Sequence, residues 1–373
     1  MAAAREAKNH DNNQHLRTEE GRISALLNAL VIIATACVAY TDWAVVADVS
    51  LGYLYVLPIA LSGLGNPLPI TVALALICTF LQDFFGPSTE TAYVRIMRTV
   101  ISLVGFLMVS ILVTLIAKQR DKLAAEIRQQ RDEYERDLTL AAQVQQRVLP
   151  KPATFPGIEL AASMQTARLL GGDYYDFFQI SDDVVDVVIA DVSGKGVAAA
   201  LLMPSLAVAL RLRARELSGP AEIIKDLDEV LRQVTNPATF VTMFYARFHA
   251  SSRTMQYASG GHNPPILVHS RTSQFQSLEE AGPILGILNN AQFSDTVITL
   301  EQGDLLTLYT DGVTEQENEN GDEFTVDRLK EIVAGKFTES AASIVADVSS
   351  AVSAFAGTKE QADDLTVVVV KVL

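Results

Sequence analysis

Cysteine is almost absent from this chain: its 373 residues hold two, Cys37 and Cys78, both inside apolar runs of the N-terminal third. A disulfide framework or a cysteine-built zinc site is excluded. The C-terminal half has no cysteine at all and cannot run thiol chemistry. Positive charge is the second shortage. Residues 148–373 carry 16 Lys and Arg against 30 Asp and Glu, whereas residues 1–117 carry 6 against 8 and residues 118–147 carry 7 against 6. So acidic a segment repels phosphate backbones, which makes nucleic acid a poor partner and divalent cations or basic protein surfaces better ones. There is no internal repeat. Nor is there a P-loop, because the GKG at 194–196 lacks the spacing and the Ser or Thr of a phosphate cradle.

Uncharged runs of 19 residues or more occur only in the first 117 residues. Residues 23–41 form one of 19 residues, close to the ~20 that cross a bilayer core. Residues 49–82 are uncharged and long enough for two passes around Gly65, Asn66, Pro67, Leu68 and Pro69, a sequence with the turn chemistry to reverse direction. Residues 99–117 are another 19-residue run, stopped by Lys118, Arg120 and Lys122. The expectation is a membrane domain of four transmembrane helices over 23–117, preceded by a cytoplasmic tail, 1–22. The second and third runs keep an alternative as re-entrant segments or a buried helix pair, since Asp48, Asp83 and Pro58 crowd them. Arg5, Lys8, Arg17 and Arg22 before the first run and the basic cluster after the last put both ends in the cytoplasm, while Arg95 and Arg98 pull the other way. The protein is thus expected as a multi-pass protein of the cell inner membrane. The polar residues ahead of the first run set it apart from a cleaved signal peptide.

Residues 118–149 read as a charged helix without Gly or interior Pro. On a heptad frame from Ile116 to Val148, seven of ten seam positions are apolar or aromatic: Ile116, Leu123, Ile127, Tyr134, Ala141, Val144 and Val148. Arg120, Gln130 and Asp137 break the seam. This is a loose coiled-coil signal that suggests a homodimer through the linker helix, with a single solvated helix as the other reading. Pro150, Lys151 and Pro152 end it. Beyond Pro156 the period is mixed. Residues 184–190, 240–248, 297–300, 305–309 and 366–372 read as strands, and 197–215, 221–234, 326–333 and 340–355 as helices. Strand pairs alternating with helix pairs favour an α+β class, antiparallel sheets covered by helices, over residues 150–373.

Four acidic anchors in that region stand beside turns: GGDYYDFF at 171–178, DVSGKG at 191–196, TDG at 310–312 and DDLT at 363–366. Asp191 follows an apolar strand and precedes a turn with two glycines, Asp311 follows an apolar strand and precedes Gly312, Asp363 and Asp364 precede the last strand, and Asp173 follows two glycines. Carboxylates at strand ends can converge on one sheet edge. Gathering them costs free energy unless a cation neutralises them, and oxygen-only ligation selects Mg2+, Mn2+ or Ca2+ over zinc. Two such ions about 3.5–4 Å apart hold an activated water for in-line attack on phosphorus. The GGD at 171–173 and the GDEF at 321–324 spell fragments of a diguanylate cyclase signature. Tyr174 and Tyr175 replace the acidic–aromatic pair at the first, and the second sits on a polar hairpin tip.

In order, AAQVQQRVLP, GGDYYDFF, IADVSGKGVAAALLM, FVTMFYARF, SGGHNPPIL, LEQGDLLTLYTDGVTEQENENGDEF and DDLTVVVV resemble the SpoIIE-like, sigma-factor-regulating branch of the metal-dependent PPM serine/threonine phosphatases, the protein phosphatase 2C type. The resemblance runs from about Leu140 to Leu373. It implies two stacked antiparallel β-sheets flanked by helices, and two Mn2+ or Mg2+ ions carried by Asp173, Asp191, Asp311 and Asp363. Asp191 would bridge them, the carbonyl of Val192 would add a ligand, and Asp364 would support the set from outside. It also implies hydrolysis of phosphoserine or phosphothreonine on a partner protein, typically an anti-sigma-factor antagonist, by a metal-bridged hydroxide. Arg168, five residues ahead of Asp173, stands where relatives outside this branch place a phosphate-gripping arginine; a salt-bridge or surface role is the alternative. Those relatives carry a histidine two residues after the bridging aspartate, and this chain has Ser193, which leaves the general acid open. His262, flanked by glycine and proline, reads as a loop-fixing residue more than as a substitute acid. Two rival functions remain: a catalytically silent module that binds a phosphorylated partner, and a membrane nucleotide cyclase.

Overall fold

A computed structural model describes residues 2–44, 52–85, 91–150, 155–194, 196–216, 219–235, 239–279 and 282–373. Lys151 and Pro152 of the expected helix stop, Lys195 of the glycine turn and the start of the second apolar run at Val49 lie outside them. The chain divides into two units, Met1–Asp132 and Glu133–Leu373.

The first unit holds α1 (Ala2–Ala44), a 3-10 turn (Gly52–Tyr55), α2 (Val56–Gly65), α3 (Leu68–Phe84) and the start of α4 (Ala92–Val148). The α2–α3 turn falls where Asn66 and Pro67 predict it. Around a small apolar cluster of Val38, Tyr55, Ile59, Ala75, Cys78 and Phe106, many large apolar side chains face outward and several polar ones inward. Ile32, Phe80, Ile101 and Leu112 are exposed, while Ser62, Thr71, Thr79, Gln82 and Ser110 are buried. The buried hydroxyls of Thr79 and Ser110 donate back to the carbonyls of Ala75 and Phe106, the usual way a helix satisfies polar side chains away from water. Gln82 donates to Ser102 at 2.9 Å, tying α3 to α4, and Asn66 donates to Asn28 at 2.8 Å, tying the turn to α1. Among the described residues, two helices are long and apolar enough to cross a membrane, α1 through Ser24–Ala44 and α4. With 10 residues, α2 is only about 15 Å long, half a bilayer core of about 30 Å.

The second unit is built from β1 (Ile158–Gln165), β2 (Asp173–Ser181), β3 (Val184–Val192), α5 (Val197–Glu216), α6 (Pro220–Val234), β4 (Val241–His249), β5 (Thr254–Gly260), β6 (Ile266–Val268), β7 (Phe275–Ser277), β8 (Thr296–Thr299), β9 (Leu305–Tyr309), the four-residue α7 (Asp311–Thr314), α8 (Thr325–Val333), α9 (Ala341–Ala356) and β10 (Leu365–Val372). One sheet runs β1-β10-β9-β6-β7 and the other β2-β3-β4-β5-β8, with every strand pair antiparallel. The two-sheet, helix-flanked architecture expected from the sequence is present.

Three apolar layers hold it. Val187, Ile189, Phe244, Leu308 and Val368 fill the space between the sheets. The outer face of the β2–β8 sheet packs on α5 and α6 through Met203, Leu210, Ile224 and Leu227, and that of the other sheet on α8 and α9 through Leu329, Ile344 and Val348. Because β3 and β10 are covered on both faces, they read as continuous valine-rich runs rather than as alternation. In α6 the buried Ile223, Ile224, Leu227 and Leu231 recur at helical spacing behind Pro220 in the first turn. In α9 the Ser340 hydroxyl caps the start by accepting from the Ser343 amide at 3.1 Å.

Candidate active site

The site forms where the two sheets meet at one end. In the β2–β3 pairing Asp173 stands opposite Asp191. From the other sheet, Thr310 beyond β9 and Thr366 at the start of β10 donate their hydroxyls to the same Asp173 oxygen, Oδ2, at 2.8 and 2.5 Å. Among the described residues no hydrogen bond engages Oδ1. Asp173 is 2 % exposed. Burial first, and then the neighbouring Asp191 charge, hold its carboxyl well above the usual carboxylate range, against the pull of the two threonines.

Glycines make the approach possible. A Cβ on Gly172 would stand 2.7 Å from the carbonyl oxygen of Val192 and 3.4 Å from Asp191 Oδ1, so both oxygens face the space that this residue leaves empty. The Gly172 carbonyl accepts from the Val192 amide at 3.2 Å, which fixes the register there. Gly312 does the same for the neighbouring wall: a Cβ would be 2.1 Å from the Asp364 carbonyl oxygen, so Asp311 at the start of α7 is carried up against the 363–364 loop. Asp364 uses both carboxylate oxygens on backbone, taking the Ala167 amide at 2.8 Å and the Gly172 amide at 2.6 Å. Asp364 thus holds the loop that leads into Asp173.

A small cleft is lined by Asp191, Asp363, Asp364, Arg168 and Gly172, among others. The cleft therefore brings Asp191, Asp363 and Asp364 together with the exposed Arg168 on its rim. Asp173 and Asp311 reach the same end of the fold without being among the cleft-lining residues, Asp173 standing opposite Asp191 in the β2–β3 pairing and Asp311 at the start of α7. Among the described residues no three His, Cys, Asp or Glu side chains form a finished metal cage. The donors nonetheless fit hard divalent cations: they are all oxygens, and the space over Gly172 is bordered by a carboxylate and a carbonyl.

Ser193 and His262 have structural partners. The Ser193 hydroxyl accepts from the Phe240 amide at 2.7 Å while its own amide donates to the Phe240 carbonyl at 2.8 Å. His262 is buried, its Nδ1 sits 2.8 Å from the hydroxyl of Thr242, and burial pushes the imidazole down to about 4. Thr242 is the β4 partner of Asp191, so the contact ties the His262 loop to that strand and supports the loop-fixing reading. Sequence reasoning overlooked Thr310 and Thr366, although Thr310 adjoins Asp311 and Thr366 stands two residues after Asp364.

A family profile described as Stage II sporulation protein E (SpoIIE) matches residues 181–373. The chain belongs to the SpoIIE family. The matched stretch contains Asp191, Val192, Asp311 and Asp363 and begins after Arg168 and Asp173. This SpoIIE-family chain is 34 % identical over 190 residues to the protein named phosphoserine phosphatase RsbU of Bacillus subtilis, covering 51 % of this chain and 56 % of that relative. It thus spans little more than half the relative's length. Among solved structures, the SiaA-PP2C domain of Pseudomonas aeruginosa superposes with a TM-score of 0.58 at 20 % identity, covering 65 % of this chain and 98 % of that one. The PP2C phosphatase domain of SpoIIE from Bacillus subtilis, with a fragment of its regulatory domain, gives 0.52 at 20 % identity, covering 59 % and 64 %. At that identity the two superpositions establish the PP2C-type fold.

Proposed function

We propose that this chain is a membrane-anchored, divalent-cation-dependent protein phosphatase that hydrolyses phosphoserine or phosphothreonine on a partner protein, an anti-sigma-factor antagonist in the manner of its family. The observation that carries the reading is Asp173: a buried carboxylate with no cationic side chain among its hydrogen-bond partners, facing a second carboxylate, held in place by threonines from the opposite sheet. Such an arrangement is costly unless an outside cation completes it. Asp173, Asp191, Asp311, Asp363 and the Val192 carbonyl would hold two Mn2+ or Mg2+ ions. When bound, the pair supplies charge neutralisation and an activated water at neutral pH.

The remaining steps belong to the protein. Asp173 and Asp191 fix the reacting centre at the sheet end, Asp364 keeps the 167–172 loop closed over it, and Arg168 on the rim receives the phosphate through its guanidinium fork. The shallow cleft admits a phosphorylated side chain while the rest of the substrate stays outside, which suits a protein substrate. Residues 1–22, 23–117, 118–149 and 150–373 are assigned as tail, membrane domain, linker and phosphatase domain. In this reading the membrane domain crosses the cell inner membrane with both ends cytoplasmic, α2 and α3 entering as a hairpin. Exposure of Leu123, Ile127, Tyr134 and Val144 along the linker seam supports a homodimer through that helix, by which the membrane domain controls the enzyme.

The test is phosphate release from a phosphoserine peptide and from p-nitrophenyl phosphate with and without added Mn2+. We expect turnover only with the ion, and loss of about 10³-fold, roughly 4 kcal/mol of barrier, in Asp191→Ala. Peptide binding without phosphate release would instead establish a silent phosphoprotein-binding module.

A further inference from the structure

The last turn of α4 meets the loop that leads into Asp173. Gln145 is 3 % exposed, although its neighbours Val144 and Gln146 face outward. Its side-chain amide makes two hydrogen bonds to one residue: Nε2 donates to the Gly171 carbonyl at 2.6 Å, and Oε1 accepts from the Gly171 amide at 3.3 Å. Gly171 precedes β2 and lies outside strand pairing, so one side chain supplies what a neighbouring strand supplies elsewhere. The opposite side of Gly171 is closed by Asp364, whose Oδ2 would be 2.5 Å from any Cβ there. The same oxygen takes the Gly172 amide. The Gly171–Gly172 peptide is therefore gripped from the helix by Gln145 and from the β10 side by Asp364, and the next residue is Asp173.

A second tie runs parallel to the first. The Val148 carbonyl accepts from Arg211 Nη2 at 3.4 Å, and Arg211 holds Asp176 on β2 at 2.6 and 2.9 Å. Both ties connect the end of α4 to β2 or the residues just before it, on either side of Asp173.

We infer that Gln145 is a positioning residue for the divalent-cation site: through one amide, the end of the linker helix sets where Gly171 and Gly172 lie, and with them Asp173 and the Val192 carbonyl. This rests on the proposed metal chemistry and names how that site is regulated. Only a neutral amide of this length both donates and accepts here. Glutamate would set a charged acceptor against the Gly171 carbonyl and add another acid beside the cluster, and methionine would fill the volume and make neither bond. Hydrogen bonds weaken steeply as length and angle depart from ideal, so a turn or slide of the helix end is converted into a change of ligand placement.

The test uses the full-length chain in detergent and counts bound Mn2+ directly by the electron paramagnetic resonance of the free ion, independently of turnover. Gln145→Met and Gln145→Glu are expected to bind Mn2+ about 10–100-fold more weakly, as removal of outer support does at other metal sites. The exposed neighbour variant Gln146→Met should match wild type. A folded Gln145→Met protein with wild-type Mn2+ affinity overturns the inference. Wild-type hydrogen exchange provides a measurement that needs no variant. Mn2+ should slow exchange in residues 140–149 as well as at 170–174, and protection confined to the second stretch overturns the coupling. Failure of the wild type itself to bind Mn2+ sinks the metal reading and this inference with it, a result distinct from the loss of Gln145 alone.

Discussion

Asp173 and Asp176 lie three residues apart on β2, both buried, and they differ in what stands beside them. Asp176 receives Arg211 through two hydrogen bonds and the Tyr174 hydroxyl at 2.7 Å. Asp186 on β3 is held the same way, by Arg247 through two bonds of 2.8 Å and by Tyr245. Asp173 has two threonine hydroxyls, and the charge that acts on it most is that of another acid. Burying a carboxylate costs several kcal/mol unless an opposite charge compensates it. The fold supplies arginine to two of three carboxylates in neighbouring strands and none to the hydrogen bonds of the third, which is where the proposed function puts a cation from outside. Burial does not separate these classes, because all three are at most 2 % exposed; the partner does.

The most damaging way to probe this contrast is on the structural side. Replacing Arg247 with Met leaves Asp186 buried and uncompensated, with only the Tyr245 hydroxyl left of its side-chain partners. The unfolding free energy should fall by about 3–5 kcal/mol, read from the denaturation midpoint at unchanged slope. A loss below about 1 kcal/mol would mean that arginine is not what makes burial tolerable here, and the contrast with Asp173 would lose its meaning.

The complementary change, Asp173→Asn, has the opposite sign without metal. The amide oxygen can still accept from Thr310 and Thr366, while the amide hydrogens face Asp191 in place of a repelling charge. Metal-free stability should hold or rise by about 1 kcal/mol. The variant should then lose the stabilisation that Mn2+ gives wild type, about 2.7 kcal/mol at a hundredfold excess over the dissociation constant. Thermal unfolding with and without the ion checks both. Marked destabilisation of the metal-free variant would put Asp173 in the structural class with Asp186.

How much of this was legible in the chain depends on what each element buries. The strand at 305–309 matches β9 residue for residue, and the helices at 197–215, 221–234, 326–333 and 340–355 fall within one residue of α5, α6, α8 and α9. The helices have one apolar face and β9, LLTLY, is a short run buried throughout, and such patterns are what a sequence reports. The sequence reading omitted β1 and β5, together with β2, whose run DYYDFFQIS interleaves buried carboxylates with aromatics, and β6 and β7, at three residues each too short to show a period. In the first unit the uncharged runs foretold the helices, but α2 is shorter than a crossing requires. At the candidate site, the aspartates stood out in the sequence because they lie beside glycines or strand ends. The threonines and Gln145 were not, because their roles come from partners 26 to 193 residues away in sequence, and nothing local marks such a pairing.

Arg168 gives the smallest effect and the sharpest distinction. It is exposed on the loop that Asp364 clamps through the Ala167 amide, and it makes no ion pair among the described residues. If it is kept for the substrate's phosphate, Arg168→Ala should raise KM for a phosphoprotein about tenfold, about 1.4 kcal/mol, and leave kcat nearly unchanged, the signature of binding lost equally from ground and transition states. Mn2+ affinity should not move. If Arg168 instead neutralises the acidic cluster, as Arg211 and Arg247 neutralise theirs, its removal should leave KM alone and tighten Mn2+ binding, because a competing positive charge has gone. Parallel measurement of KM and Mn2+ affinity on the one variant therefore decides whether the cation on the rim belongs to the substrate or to the fold.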